Sequence, residues 1–295
     1  MDKKAFGKLL AVLRDEVHWT QADLAEMVEV ETGVISNLER GTKKNLEPEL
    51  LFRLANALGL TTLERREFFL AASGLDETHI VRQPGGAVTT EIFDAAKVLS
   101  QLKMIVGKLR LPAFLVDVYG DVVAANQIIL DLLQVSPEVI AQAATEPGGY
   151  SSIRVTYGDM VRSAIPAGYE DFILTSMRGF REVSLRYRAR PYFQYLMKEF
   201  RNPKKYPWFE RAWKRVSLLD DDKAGTVDPF AYTHALYGPL AYYSTSSVTF
   251  TPYGELFLVQ YLPVNAQTAA VFEQLASTVG TRAVDFAPWP EKKMV

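Results

Sequence analysis

Apolar positions near the amino terminus recur at helical spacing. Phe6, Leu9, Leu10 and Leu13 fall three and four residues apart with Lys and Arg between them, which predicts a helix over residues 3–15. Thr20 has the side chain of an N-cap and Asp23 follows three residues on, so a second helix starts there and runs to Met27, with Leu24 and Met27 turned to the core. After a turn over residues 28–31, a third helix begins at Thr32 and buries Val34, Ile35 and Leu38, leaving Thr32, Gly33, Ser36 and Asn37 outward. Glu47-Pro48 opens a fourth, because Pro suits the first helical position; its stripe is Leu50, Leu51, Leu54, Ala55 and Leu58, and Gly59 ends it. Thr61-Thr62 cap a fifth helix through Phe68, Phe69 and Leu70, stopped by Ser73-Gly74.

Residues 76–90 carry Pro84-Gly85-Gly86 and no sustained periodicity, so they read as a linker. Beyond it, Ile92, Ala95, Leu99, Leu102, Val106 and Leu109 alternate in steps of three and four. This seam fits a dimer coiled coil or, more plainly, a helix packed on the sheet of its own domain; three heptads do not decide between them. Pro112 stops that helix. Residues 113–118 and 122–125 read as strands about Gly120-Asp121, and Asn126 caps a helix through Ile129, Leu132 and Leu133. Residues 241–250 and 256–262 form a second β pair around Pro252-Tyr253-Gly254, completing one antiparallel sheet. Between the pairs lies a helical insertion that includes residues 191–200 and 208–216.

Composition narrows the function. With 295 residues, 48% of them hydrophobic, the chain can form two cored domains. The formal net charge of −2 conceals a division: residues 1–78 hold 10 basic and 14 acidic side chains, whereas 178–215 hold 12 basic and 3 acidic. An acidic first module works against phosphate binding. The absence of Cys excludes disulfides, thiolate metal sites and a Cys nucleophile, and fits a reducing cytoplasm. His18, His79 and His234 are scattered, so neither a metal site nor a cofactor is expected. No segment reaches the roughly 18 apolar residues of a membrane span, so membrane insertion is not expected. Ser100 and Lys103 match an S-x-x-K spacing but lack its companion motifs. Ala224-Gly225 and Gly158-Asp159-Met160 resemble parts of self-cleaving repressors, but in the wrong order and without the Ser. No catalytic residue is expected.

The outward set of the third helix is small and hydrogen-bonding, which lets a helix approach base edges, and Asn37 has the paired donor and acceptor that reads adenine. Gln21 is placed to face a phosphate, and Arg40, Lys43, Lys44 and Asn45 supply cations and donors where the chain leaves that helix. Thr20-Gln21, Leu24-Ala25 and ISNLERG at residues 35–41 resemble the Xre-type helix-turn-helix family, related to phage Cro and repressor proteins, over residues 3–73. The resemblance implies double-stranded DNA as partner. Glu29 stands where the family usually has Gly in the turn, a departure that costs roughly 1 kcal/mol. Gly33 inside the recognition helix is a second departure.

The strand, Gly-Asp turn, strand, Asn and helix order resembles PAS-like sensor domains. A Xre-type module followed by such a domain resembles the MmyB-like transcription regulators of bacteria, on TTLERREFFLAASG, PAFLVDVYGDVVAAN, the helix with Trp208 and Trp213, and strands closing at Leu262-Pro263. The expected fold is multidomain. An all-α five-helix Xre/Cro-type helix-turn-helix domain (1–75) and a linker (76–90) precede an α+β PAS-like ligand-binding and dimerisation domain (91–280) with an antiparallel sheet and a helical insertion. A C-terminal tail (281–295) follows. The resemblance implies a homodimer without catalysis. Tyr192, Phe193, Leu196, Met197 and Phe200 make one apolar face, and Phe209, Trp213 and Val216 another, laid over a sheet face with Phe250, Phe257, Val259 and Tyr261. An apolar cavity there suits a lipophilic effector, with Arg188 and its neighbours Arg181, Arg186, Arg190, Lys204 and Lys205 meeting a carboxylate; a fatty acid is the expected ligand. The same basic stretch is also placed to reach DNA flanks. The competing class is a non-enzymatic scaffold with a degenerate helix-turn-helix.

Overall fold

Each amino-terminal helix begins where its cap dictates. Helix α1 (Lys3–Glu16) is capped by Asp2, which accepts from the Ala5 amide at 2.7 Å. α2 (Gln21–Met27) and α5 (Thr62–Ser73) open on reciprocal capping boxes, Thr20 with Asp23 and Thr61 with Glu64. α4 (Pro48–Ala57) opens on Pro, α3 (Thr32–Glu39) follows a turn in which Glu29 takes φ 53°, and Gly74 ends α5 at φ 71°. In a computed structural model, residues 2–43, 46–74, 93–145, 148–157, 169–217, 229–279 and 282–292 are described. The expected linker, Lys44, Asn45, Ile92, Gly158-Asp159-Met160 and Ala224-Gly225 lie outside them.

The chain divides into two units. One comprises Met1–Thr90, Met177–Met197 and Trp213–Lys223, and the other Glu91–Ser176, Lys198–Ala212 and Ala224–Val295. In the first, Phe6, Leu9, Leu10, Leu24, Ala25, Ile35, Leu38, Leu54 and Phe68 share one core, joined by Leu185 from a 3-10 turn (Leu185–Tyr187). Met27 is 57% exposed, contrary to expectation: α2 ends there, and the inward place falls to Val28, which is buried. Val34 and Leu51 are only partly buried.

Helix α1 crosses the end of α3 at Gly7. A Cβ at Gly7 would lie 2.3 Å from the Glu39 carbonyl oxygen and 2.5 Å from that of Leu38. Both obstacles are backbone, so Gly7→Ala is expected to destabilise the first unit by about 1–3 kcal/mol. Thermal denaturation checks this, and an unchanged midpoint would contradict so close a crossing.

The second unit is built on a six-stranded antiparallel sheet in the order β3-β4-β5-β1-β2-β6. Its strands are β1 (Ala113–Asp117), β2 (Val122–Asn126), β3 (Phe230–His234), β4 (Gly238–Thr249), β5 (Leu256–Pro263) and β6 (Ala283–Asp285). α6 (Ala95–Lys108) covers one face, where Leu102 and Val106 pack with Leu115, Val123, Ala124 and Leu256. The described part of the heptad seam is thus the inner face of a domain helix. On the other face, α7 (Gln127–Leu132) and α13 (Ala266–Val279) bring Ile128, Ile129, Leu132, Phe272 and Leu275 against Leu240 and Tyr242. Asn126 ties these layers together: its Oδ1 accepts from the Ala113 and Ile129 amides, each at 3.1 Å, and its Nδ2 donates to the Leu111 carbonyl at 2.7 Å.

Several expectations fail for identifiable reasons. α7 ends at Leu132, one residue before the expected Leu133, which is its C-cap and is 44% exposed. Phe250 is 65% exposed, since β4 ends at Thr249 and the side chain leaves the sheet. Residues expected as a tail belong to the fold: β6 pairs with β2, and the Phe286 and Ala287 amides donate to the carbonyls of Val123 and Val122. Farther on, Lys292 Nζ reaches buried Asp117 and Asp121, the latter at 2.9 Å. Burial drives the Asp117 carboxyl up to about 6, Lys292 opposing the rise and Asp121 reinforcing it.

The remaining helices are α8 (Pro137–Ala143), α9 (Ser152–Tyr157), α10 (Tyr169–Ser184), α11 (Pro191–Phe200) and α12 (Phe209–Val216). The last three each contribute residues to both units. Among the described residues, no helix is long and apolar enough to cross a membrane.

Candidate nucleic-acid interface and its support

On α3, Ile35 and Leu38 are buried while Thr32, Gly33, Asn37 and Arg40 are exposed and Ser36 is half-buried. The outward set is thus the one the periodicity gives. Asn37 is already organised: its Oδ1 accepts from Arg40 Nη2 at 2.7 Å, and Arg40 Nε donates to the Ser36 carbonyl at 3.2 Å. Asn37 Oδ1 also accepts from Thr42 Oγ1 at 3.3 Å, so a base donor would compete with these protein donors for it. Lys43 is half-exposed beside this pair in sequence.

Gln21 departs from expectation. Its Nε2 donates to Glu39 Oε2 at 2.6 Å instead of pointing to an outside phosphate. The cause is Glu39, whose nearly buried carboxylate needs donors and also takes Arg14 Nε at 2.7 Å. Arg14, Gln21 and Glu39 therefore fasten α1, α2 and α3 together. The exit motif shows Glu39, but nothing local shows that its partner lies 25 residues earlier.

Gly33 answers to no internal packing, since no atom lies within 4 Å of the place its Cβ would take. Gly33→Ala is expected to leave stability unchanged or raise it by up to about 1 kcal/mol. On operator DNA the same methyl would stand between helix and bases, with binding weakened roughly tenfold, the low end of a lost base contact. Parallel denaturation and DNA titration check the pair; loss of fold, or unchanged affinity, would refute it.

Behind α5 lies a buried ionic cluster. Glu64 is fully buried and its two oxygens accept from Arg181 Nε and Nη2, each at 2.9 Å. Arg188, also fully buried, donates through Nη2 to Glu64 and through Nη1 to Glu16 at 3.1 Å. The Thr61 amide completes the carboxylate's shell at 2.9 Å. Both guanidinium groups lie over the Trp213 ring, at 5.0 and 4.8 Å, and Arg181 Nη1 donates to the Trp213 carbonyl at 2.6 Å. Burial alone would raise the Glu64 pKa; Arg188, Arg181 and the Thr61 amide overcome it and bring the carboxyl down to about 2. Four charges, two of each sign, are thereby closed on one another away from water.

The cluster corrects the expected head-group site, because the Arg188 guanidinium serves Glu16 and Glu64 inside the protein. It equally removes Arg188 and Arg181 from any contact with DNA flanks. Arg186 pairs with Glu67 at 2.8 Å, while Lys205 is half-exposed and pairs with Glu199 at 2.7 Å. The aromatic residues are buried as expected. Tyr192, Phe193, Leu196, Met197 and Trp213 belong to the first unit, where Phe193 stacks on Phe180 with centroids 5.9 Å apart. Phe200 belongs to the second, against Tyr206 and Phe209 at 5.2 and 5.4 Å. α6, α7 and α13 pack on the faces of the sheet, and Phe172 of α10 meets Phe230 of β3 with centroids 4.6 Å apart. Beside α7 and α13 opens a cleft of about 410 Å³ lined by Leu130, Val135, Tyr237 and Leu275 with Asp131, Gln134, Gln274 and Thr278.

A profile of the helix-turn-helix family matches residues 10–65, and one of the MmyB-like transcription regulator ligand binding domain matches residues 98–275, more than half of the chain. The chain belongs to the MmyB-like transcription regulators. Comparison with curated proteins found no match. The two matched modules make this MmyB-like protein a DNA-binding, ligand-regulated transcription regulator, and neither is an enzyme family. Within it, Glu16 and Glu64 come from the helix-turn-helix match, and Arg181, Arg188 and Trp213 from the ligand-binding match.

Proposed function

We propose that this MmyB-like regulator reads double-stranded DNA as a homodimer in the cytoplasm, and that a lipophilic, fatty-acid-like effector bound in a PAS-like second domain controls the reading. The observation that carries the DNA reading is the exposed polar face of α3, from Thr32 to Arg40, seated on a buried core. The acidic balance of the first module is largely offset, because Glu16, Glu64 and Glu67 face Arg188, Arg181 and Arg186 from beyond residues 1–78. Two copies would set their recognition helices about 34 Å apart, one DNA turn.

For the effector, support comes from the sheet. Phe114, Val116, Phe257, Val259 and Tyr261 share the Tyr242 face by pairing register and are only partly covered. That half-open apolar surface suits an alkyl chain. The nearby cleft suits a carboxylate poorly, since Asp131 lines it.

Binding to fragments from around its own gene, measured across salt concentrations, tests the DNA reading; retention without salt dependence, or none, would refute it. Asn37→Ala is expected to weaken binding to the preferred fragment by about 1–3 kcal/mol while leaving affinity for unrelated DNA unchanged. Mass spectrometry of extracted small molecules, with thermal shifts on adding fatty acids, tests the effector. A protein that carries no lipid and is stabilised by none would end that reading. Light scattering at a single-chain mass of 33.1 kDa throughout would end the homodimer.

A further inference from the structure

Glu64 serves two structures at once. In α5 it is the third residue of the capping box, and the same carboxylate is the buried counter-ion of Arg181 and Arg188. A path of direct contacts leads from there to the DNA-reading helix. Arg188 holds Glu16 at the end of α1; two residues earlier Arg14 holds Glu39 at the end of α3; and at Gly7 the backbone of α1 abuts the Leu38 and Glu39 carbonyls.

We infer that the Glu16, Glu64, Arg181 and Arg188 cluster is the joint through which the ligand-binding region governs α3. The inference rests on the DNA-reading role proposed above. Three features argue for a joint rather than a passive brace. The charges come in opposite signs from the two matched modules, so neither module alone can neutralise its half. All four side chains are buried or nearly so, and a partner that moves away is not replaced by water; the contact is made or broken as a whole, which is the bistability a switch needs. Finally, Arg181 lies on α10, one helix whose residues 169–176 belong to the second unit, so a single element carries part of that unit and part of the cluster.

The test uses the full chain with Arg188→Gln, Glu16→Gln and the exposed control Arg190→Gln, read by hydrogen exchange and by DNA titration. Arg188→Gln is expected to speed amide exchange in α1 and α3 at least tenfold with β5 unchanged, and to weaken DNA binding at least fivefold. Glu16→Gln, which breaks only the contact at the edge of the cluster, is expected to act in the same direction with smaller effect, and it decides the matter if Arg188→Gln fails to fold. Arg190→Gln is expected to leave exchange in α1 and α3 unchanged. Unchanged exchange in α3 overturns the joint whatever happens to DNA binding. Faster exchange with unaltered DNA affinity overturns its control of the reader. An unaltered chain that binds no DNA overturns the proposed function, while the exchange measurement still decides whether the two modules are joined.

Discussion

Glu64→Gln is expected to destabilise the protein by about 3–5 kcal/mol at neutral pH, the cost of removing one partner from a buried ion cluster. The amide can still accept a hydrogen bond, but Arg181 and Arg188 would then have the single carboxylate of Glu16 between them, which is bonded to Arg188. The acid limb of stability should change as well. Glu64 is held at about 2 against an ordinary 4.5, a depressed value, so its contribution is complete above pH 4.5 and is lost as pH falls towards 2. Urea denaturation followed from pH 7 to pH 2 should show this loss in the unaltered chain and a flatter profile in the variant. Equal stability of the two at pH 7 would mean that the cluster contributes nothing.

Lys292→Met is expected to have the next largest effect, of about 3 kcal/mol by the same reasoning, because two buried carboxylates would face each other without a cation. Its pH dependence runs the other way. The Asp117 value is raised, to about 6 from 3.8, so protonation favours the folded state and stability falls as pH rises through that interval. Without Lys292 the fall should begin at the same pH and extend further, so the deficit of the variant is largest above pH 6 and narrows in acid. A deficit that grew in acid instead would show that the lysine acts through packing. Both windows lie below neutrality, but the Glu64 cluster loses stability there as pH falls and the Asp117 cluster as pH rises.

The helical module was readable because its signals are local. Thr20 with Asp23, Thr61 with Glu64, Pro48, Gly59 and Gly74 each state a boundary within four residues of themselves. The hairpin from β1 to β2 and the Asn126 cap were readable for the same reason. Strands β3 and β6 were not. β6 has three residues and pairs with the distant β2, whereas β3 pairs across a tight turn with the start of β4, residues 238–242, most of which precede the stretch 241–250 read as a strand. Helical spacing also placed Met27 inward and the strand reading placed Phe250 there, although each sits at the edge of its element, where one residue decides between core and solvent. For the site, the face of α3 followed from its spacing, but the roles of Gln21 and Arg188 did not. Both are fixed by carboxylates brought near by the fold, 18 residues away for Gln21 and 124 for the Arg188 to Glu64 pair. Charge balance held the one hint: the acidic excess of the first module and the basic excess of residues 178–215 are partly each other's complement.

That complement bears on how such regulators can diversify. A recombination event that grafted a foreign reader at the end of α5 would leave Arg181 and Arg188 interred without counter-charge, and a reader excised at the same point would expose Glu64 without a cation. New operator specificity should therefore accumulate by substitution on the outward face of α3. Laboratory chimeras should fold only when Met177–Met197 and Trp213–Lys223 travel with the reader they were selected to hold.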